Sequence, residues 1–204
     1  MGVDGHEVMS VFCEDRKLNL SPAYLKPGFA FGGSCLPKDL RALTYQARRF
    51  DLDSPVLNSI LPSNAAQVKR AIQMILALGK KRIGFLGMAF KPGTDDLRES
   101  PLVEVIETLL GKGYRVSIYD RSVSASALIG ANKRFVEEHI PHLSSLLAAR
   151  AEDVVAAADV VVVGYASPEF AAALAGARAE QTVIDLARIG GREALAAAYD
   201  GICW

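Results

Sequence analysis

Arg82-Ile83-Gly84-Phe85-Leu86-Gly87 reads as a buried strand running into a tight exit. A short, nearly continuous apolar run closed by glycine suits a strand covered on both faces. Downstream, Ser100 and Pro101 supply an N-cap and a first helical position. Leu102, Val105, Ile106, Leu109 and Leu110 then recur with helical period until Gly111-Lys112-Gly113. Further strands are expected at 115–120, at 159–164 with its four consecutive valines, and at 182–186. Strands alternating with helices predict an α/β fold with a Rossmann-like parallel sheet. The interval 121–158 is long for a connection. It is expected to carry helices near 132–140 and 143–150.

Upstream the pattern is helical. Ala65, Val68, Ala71, Ile72, Ile75 and Leu76 mark the apolar face of a long helix over 62–78, stopped by Gly79. Leu36, Leu40, Leu43, Ala47 and Phe50 make an apolar stripe on an earlier helix. Pro37 fits the first turn of that helix, and Arg48 and Arg49 suit the negative end of its dipole. Val8, Met9, Val11, Phe12 and Cys13 cluster in a short expected helix, and 19–34 is a loop rich in Pro, Gly and aromatics. The expected organisation is a helical segment over 1–61 carrying a cysteine loop, a connecting helix over 62–79, and a Rossmann-like domain over 80–204.

The totals narrow the function classes. Half of the 204 residues are hydrophobic, and 23 basic residues balance 23 acidic ones. That balance gives no reason to expect nucleic acid or a membrane surface as partner. No apolar run approaches the ~20 residues of a membrane span, and the opening residues do not read as a signal peptide. Cys13, Cys35 and Cys203 are odd in number and far apart, so neither a disulfide framework nor a metal site is expected. A reducing cytoplasm is the simplest compartment. His6, His139 and His142 have no ligand spacing with the cysteines and read as surface or structural.

Two constellations could carry chemistry. The first is Phe31-Gly32-Gly33-Ser34-Cys35-Leu36-Pro37-Lys38-Asp39. A thiol at a helix N-terminus beside Lys38 is favoured as thiolate, the nucleophilic form. Gly32 and Gly33 allow close backbone approach. Asp39, four residues on, shares the face of Cys35 and could direct water at a thioester. The competing reading is a packed, inert cysteine beside a glycine turn. The second constellation is Phe90-Lys91-Pro92-Gly93-Thr94-Asp95-Asp96-Leu97-Arg98-Glu99-Ser100-Pro101. It follows the first strand, where open α/β sheets bind ligands. Lys91 and Arg98 could hold phosphate or carboxylate, while Asp96 and Glu99 could instead form a capping box. A solvated charged loop is the alternative. Tyr24 and Lys26 are candidate contacts through their nearness to the cysteine. Gly84, Gly87 and Asp120 hint at a dinucleotide turn, but the spacing is G-x-x-G. A sheet of this type that binds no dinucleotide is the preferred reading. Trp204 is expected to be buried.

Taken together, the two constellations resemble those of the nucleotide-sugar 6-dehydrogenases, the UDP-glucose/GDP-mannose dehydrogenase family. Tyr24-Leu25-Lys26-Pro27-Gly28-Phe29-Ala30-Phe31 and the closing Gly201-Ile202-Cys203-Trp204 favour a member acting on GDP-mannose over one acting on UDP-glucose. The resemblance implies oxidation of a sugar C6 alcohol to a carboxylate with two NAD, through a thiohemiacetal and a thioester. It implies Cys35 as nucleophile and Asp39 as helper in hydrolysis. Asn19, Tyr24, Lys26, Phe29, Gly32, Phe90 and Lys91 would contact the nucleotide sugar, and Lys38 and Arg98 would reach toward NAD. Asn19 and Lys26 match loop positions that enter the partner's site across a homodimer. The family often has Arg where Lys26 stands, and lysine lacks the bidentate fork. The resemblance covers the chain but only the C-terminal half of the family polypeptide. The chain is therefore expected to lack the NAD-binding domain and to be inactive alone.

Overall fold

The computed structural model describes residues 3–17, 21, 25–123, 138, 140 and 142–202. The elements in order are α1 (Gly5–Phe12), α2 (Leu36–Arg49), α3 (Pro55–Ala77), β1 (Arg82–Leu86), α4 (Pro101–Gly111) and β2 (Arg115–Tyr119). They continue with α5 (Leu143–Leu146), α6 (Ala151–Ala157), β3 (Val160–Val163), α7 (Pro168–Leu174), β4 (Thr182–Asp185), a 3-10 turn (Arg192–Ala194) and β5 (Ala198–Gly201). Among the described residues, five strands form one parallel sheet in the order β2-β1-β3-β4-β5. The expected α/β fold with a Rossmann-like parallel sheet is therefore present.

The valine run explains the two-sided core. Side chains alternate across a strand, so Val160 and Val162 point to one face and Val161 and Val163 to the other. The first pair joins Ile83, Phe85, Val105, Ile106 and Leu109, packed with α3 and α4. The second joins Leu86, Val154, Val155 and Phe170, packed with α6 and α7. All four valines are fully buried, and each contributes about 1.5–3 kcal/mol of transfer free energy.

Several boundaries and faces differ from the sequence expectation. The long helix begins at Pro55, after Ser54, and not at Pro62. Pro55 takes the early position where a missing N–H costs nothing. Pro62 lies inside the helix at an exposed site. The helix buries Val68, Ala71 and Ile75, while Ala65 is exposed. The α2 stripe is not a core face: Leu36, Leu43 and Phe50 are exposed, and the buried residues are Pro37 and Thr44. Thr44 can turn inward because its hydroxyl donates to the Leu40 and Arg41 carbonyls. The helix expected over 143–150 ends at Leu146, where Leu147 pairs with Ile118 in an isolated bridge. A separate helix starts at Ala151. β5 and α7 are additions that period alone did not reveal. The helix expected near 132–140, along with His139 and Trp204, falls outside the described residues.

Candidate functional site

Cys35 occupies the N-cap position of α2, exposed, with Pro37 in the first turn. The loop before it is built against the second constellation. Gly32 is so close to the following loop that a Cβ there would lie 2.2 Å from the Glu99 carbonyl oxygen and 2.7 Å from Pro101 Cδ. Gly33 has φ +89, a region disfavoured for other residues, and its open side faces the Phe90 ring. Asn64 on α3 completes the clamp. Its Oδ1 accepts from the Phe31 N–H at 2.8 Å, and its Nδ2 donates to the Phe31 carbonyl at 2.8 Å.

Charged groups repeat the same pairing. The Arg41 guanidinium donates to both oxygens of Glu99, at 2.7 and 3.0 Å, joining α2 to the second loop. Arg98 donates from Nε and Nη2 to Asp96, each at 2.8 Å. That fork holds the Asp96 carboxyl below its usual range, with a smaller contribution from the Ser34 hydroxyl. Arg98 is held up chiefly by its hydrogen bonds to Asp96. The second loop therefore brings a paired arginine and carboxylate up to the cysteine loop, with Gly32 against Glu99. Lys38 Nζ pairs with Asp39 at 3.2 Å, and both side chains are largely exposed. The proposed capping box between Asp96 and Glu99 does not form, because their carboxylates are spent on Arg98 and Arg41. Ser100 is the N-cap of α4 as expected, but its hydroxyl donates to the Met88 carbonyl at 2.7 Å.

Gly32, Cys35, Phe90 and Arg98 are thus brought together. Lys91 is exposed, with Nζ 5.4 Å from the Phe90 ring centroid, and Phe29 packs half-buried on the main core. Lys26 lies elsewhere. It lines a cavity with His6, Met9, Cys13, Ala187 and Arg188, between α1 and the loops after β3 and β4. There Arg188 donates to the Asp4 carboxylate, which also caps α1 through the His6 N–H. Burial, aided by Arg188, holds the His6 imidazole below its ordinary range. Asn19 and Tyr24 fall outside the described residues. Asn64, Arg41, Asp4 and Arg188 escaped the sequence reading, since a single Asn, Asp or Arg on a surface element carries no local signal.

The sheet's own dinucleotide turn does not fit NAD. A Cβ on Gly87 would lie 2.5 Å from Tyr165 Cε1, so an aromatic ring fills the ground above the glycine. Asp120 is 5 % exposed and its oxygens already accept from Met88, Ala89, Ser122 and Tyr165. The acid at the end of β2 is therefore already occupied within the protein. Lys38, on α2, and Arg98, on the second loop, each keep part of their charged side chain exposed.

Known proteins resemble this chain in sequence and fold. Residues 84–191 match the UDP-glucose/GDP-mannose dehydrogenase family, UDP binding domain, and residues 1–66 match its central domain. The chain is 50% identical over 205 residues to GDP-mannose 6-dehydrogenase of Pseudomonas putida, covering 100% of this chain and 47% of that protein. It is 35% identical over 133 residues to UDP-glucose 6-dehydrogenase of Rickettsia bellii, covering 63% of this chain and 30% of that protein. A crystal structure of a ternary complex of GDP-mannose dehydrogenase from Pseudomonas aeruginosa superimposes with TM-score 0.80 at 47% identity, covering 100% of this chain and 46% of the other. The UDP-glucose dehydrogenase of Pyrobaculum islandicum gives TM-score 0.80 at 27% identity over 100% of this chain and 44% of the other. The chain spans about half the length of the curated relatives it matches. On its sequence, its fold and the meeting of its two loops, the chain belongs to the UDP-glucose/GDP-mannose dehydrogenase family.

Proposed function

We propose that this chain is the thiol-bearing, nucleotide-sugar-holding part of an NAD-dependent nucleotide-sugar 6-dehydrogenase that converts GDP-mannose to GDP-mannuronate. The observation that carries the reading is the packing of the Cys35 loop on the Phe90–Pro101 loop, with Gly33 on Phe90 and Gly32 on Glu99. It brings an exposed thiol against a loop that carries Lys91 and Arg98 and suits anions.

In this reading the Cys35 thiolate adds to the C6 aldehyde, forming a C–S bond while the carbonyl oxygen takes a proton. The sulfur keeps the carbon attached as it is oxidised to the thioester. Asp39 draws a proton from the water that attacks this thioester, releasing the C6 carboxylate and restoring the thiol. Phe90 and Lys91, with Tyr24, Lys26, Phe29, Gly32 and Asn19, contact the nucleotide sugar. When bound, NAD supplies the hydride acceptor, and Lys38 and Arg98 are the residues of this chain that contact it.

We further propose the domain division 1–61, 62–79 and 80–204, and a homodimer in the reducing cytoplasm. Exposed Leu36, Leu43, Phe50 and Val56 support association, since large apolar side chains gain from cover. Among the described residues no helix is long and apolar enough to cross a membrane.

Calorimetric titration with GDP, GDP-mannose and UDP-glucose tests the reading. GDP-mannose is expected to bind and to slow alkylation of Cys35. The isolated chain should form no NADH from GDP-mannose and NAD, because Tyr165 covers Gly87 and the Asp120 oxygens are already taken. Binding of none of the three ligands, or appreciable NADH formation, would overturn the corresponding part. Tighter binding of UDP-glucose would shift the substrate to the UDP-sugar, as the match to a UDP binding domain allows.

A further inference from the structure

We propose that Asp120 is a positioning residue for the cysteine site, holding the exit of β1 so that Phe90 closes on Gly33. The inference rests on the reading of Cys35 given above. The Asp120 carboxylate is buried and its acceptor sites are divided between two tasks. Oδ2 accepts from the Met88 N–H at 2.9 Å and the Ala89 N–H at 3.1 Å. Oδ1 accepts from the Ser122 N–H at 3.0 Å and the Tyr165 hydroxyl at 3.1 Å. One side chain thereby ties together the ends of β2, β1 and β3.

Met88 and Ala89 lead directly into Phe90 and Lys91. Met88 is held on both sides, its N–H by Asp120 and its carbonyl by Ser100 Oγ at 2.7 Å. Its side chain is fully buried, so this short segment has little freedom to shift. The Phe90 ring that follows packs against Gly33, two residues before the nucleophile. An anion accepting backbone N–H groups makes bonds about twice as strong as neutral ones. A carboxylate is therefore better suited than an amide or hydroxyl to pin two adjacent peptide groups. Tyr165 serves the same end: its hydroxyl donates to Asp120 while its ring fills the space over Gly87. The acid and the glycine that could have served a dinucleotide are instead used to aim the neighbouring loop.

Peptide-resolved hydrogen exchange and Cys35 alkylation by iodoacetamide test this without any ligand. Asp120→Ala is expected to speed exchange of segments 31–34 and 88–93 about tenfold over the β3 and α6 segments. It should change the alkylation rate of Cys35 severalfold while leaving that of Cys13 unchanged. Asp120→Asn keeps an oxygen for Met88 and Ala89, and should restore both readouts to within about threefold of wild type. Ser100→Ala loosens Met88 from its other side and is expected to reproduce the Asp120→Ala pattern more weakly, so the test survives misfolding of the alanine variant. Faster exchange confined to 118–123, with segment 31–34 and Cys35 at wild-type rates, overturns the proposal. So does an Asp120→Asn variant as loose as Asp120→Ala. Titration of the wild-type chain with GDP-mannose tests the function reading separately, so either can fail alone.

Discussion

The Phe90 ring lies against Gly33, with ring atoms only 2.8, 2.9 and 3.1 Å from where a Cβ would stand. This contact joins the cysteine loop to the sheet domain. It explains why the turn carries glycine on two counts, a positive φ and a filled space. Gly33→Ala should cost about 1–3 kcal/mol from backbone strain alone, with further loss from the ring contact. In Gly33→Ala/Phe90→Ala the ring contact is gone but the strain remains. A double-mutant cycle by urea unfolding should show positive coupling between the two positions; strict additivity would contradict the contact.

Asn64 is expected to hold the cysteine loop to α3. Asn64→Ala leaves the Phe31 N–H and carbonyl without their side-chain partner, at about 1–3 kcal/mol. Asn64→Asp keeps the acceptor and loses the donor, so it should fall between. Thermal unfolding ranks the variants, and equal melting temperatures for all three proteins would rule the clamp out.

The Arg41–Glu99 pair gives a pH dependence. The hydrogen bonds from Arg41 hold the Glu99 carboxyl below its ordinary 4.5. A depressed folded-state value means that the contribution is full above that ordinary range and fades as pH falls through the lower one. Both side chains are about half exposed, so the pair is worth under about 1 kcal/mol. The stability gap between wild type and Arg41→Ala should therefore be small at pH 7 and close in acid. A gap that widens below pH ~4 would contradict this sign.

Release of α1 is expected at a lower pH. The Arg188 guanidinium, with two N–H groups of the helix, takes the Asp4 carboxyl from 3.8 down to about 2. The contact is intact above 3.8 and is lost as pH falls through about 2. Limited proteolysis between pH 4 and 2 should show α1 becoming sensitive in that window. Asp4→Asn should show the sensitivity already at neutral pH.

Much of this protein was legible from local pattern. The apolar runs at 82–87 and 159–164 and the helical period at 102–110 identified strands of the sheet and a helix beside it, because such patterns report the faces an element buries. Cys35 before Leu36-Pro37 was legible as a thiol at a helix start for a similar reason, since caps are local chemistry. The α2 stripe failed because periodicity records apolarity and not what covers it; Leu36, Leu43 and Phe50 remain exposed. Pro62 misled because Pro55 had already opened the helix.

The sequence by itself determined most of the elements, the strand-helix alternation, a cysteine at a helix start and the two motifs that resemble a dehydrogenase. Those properties depend on residues within a few positions of one another. Tertiary structure alone decided that Gly33 meets Phe90, that Arg41 pairs with Glu99 across 58 positions, and that Asp120 is occupied with Met88, Ala89 and Tyr165 rather than a ribose. Donors and acceptors so far apart in the chain find one another only after the two cores have packed, and no local period encodes that choice.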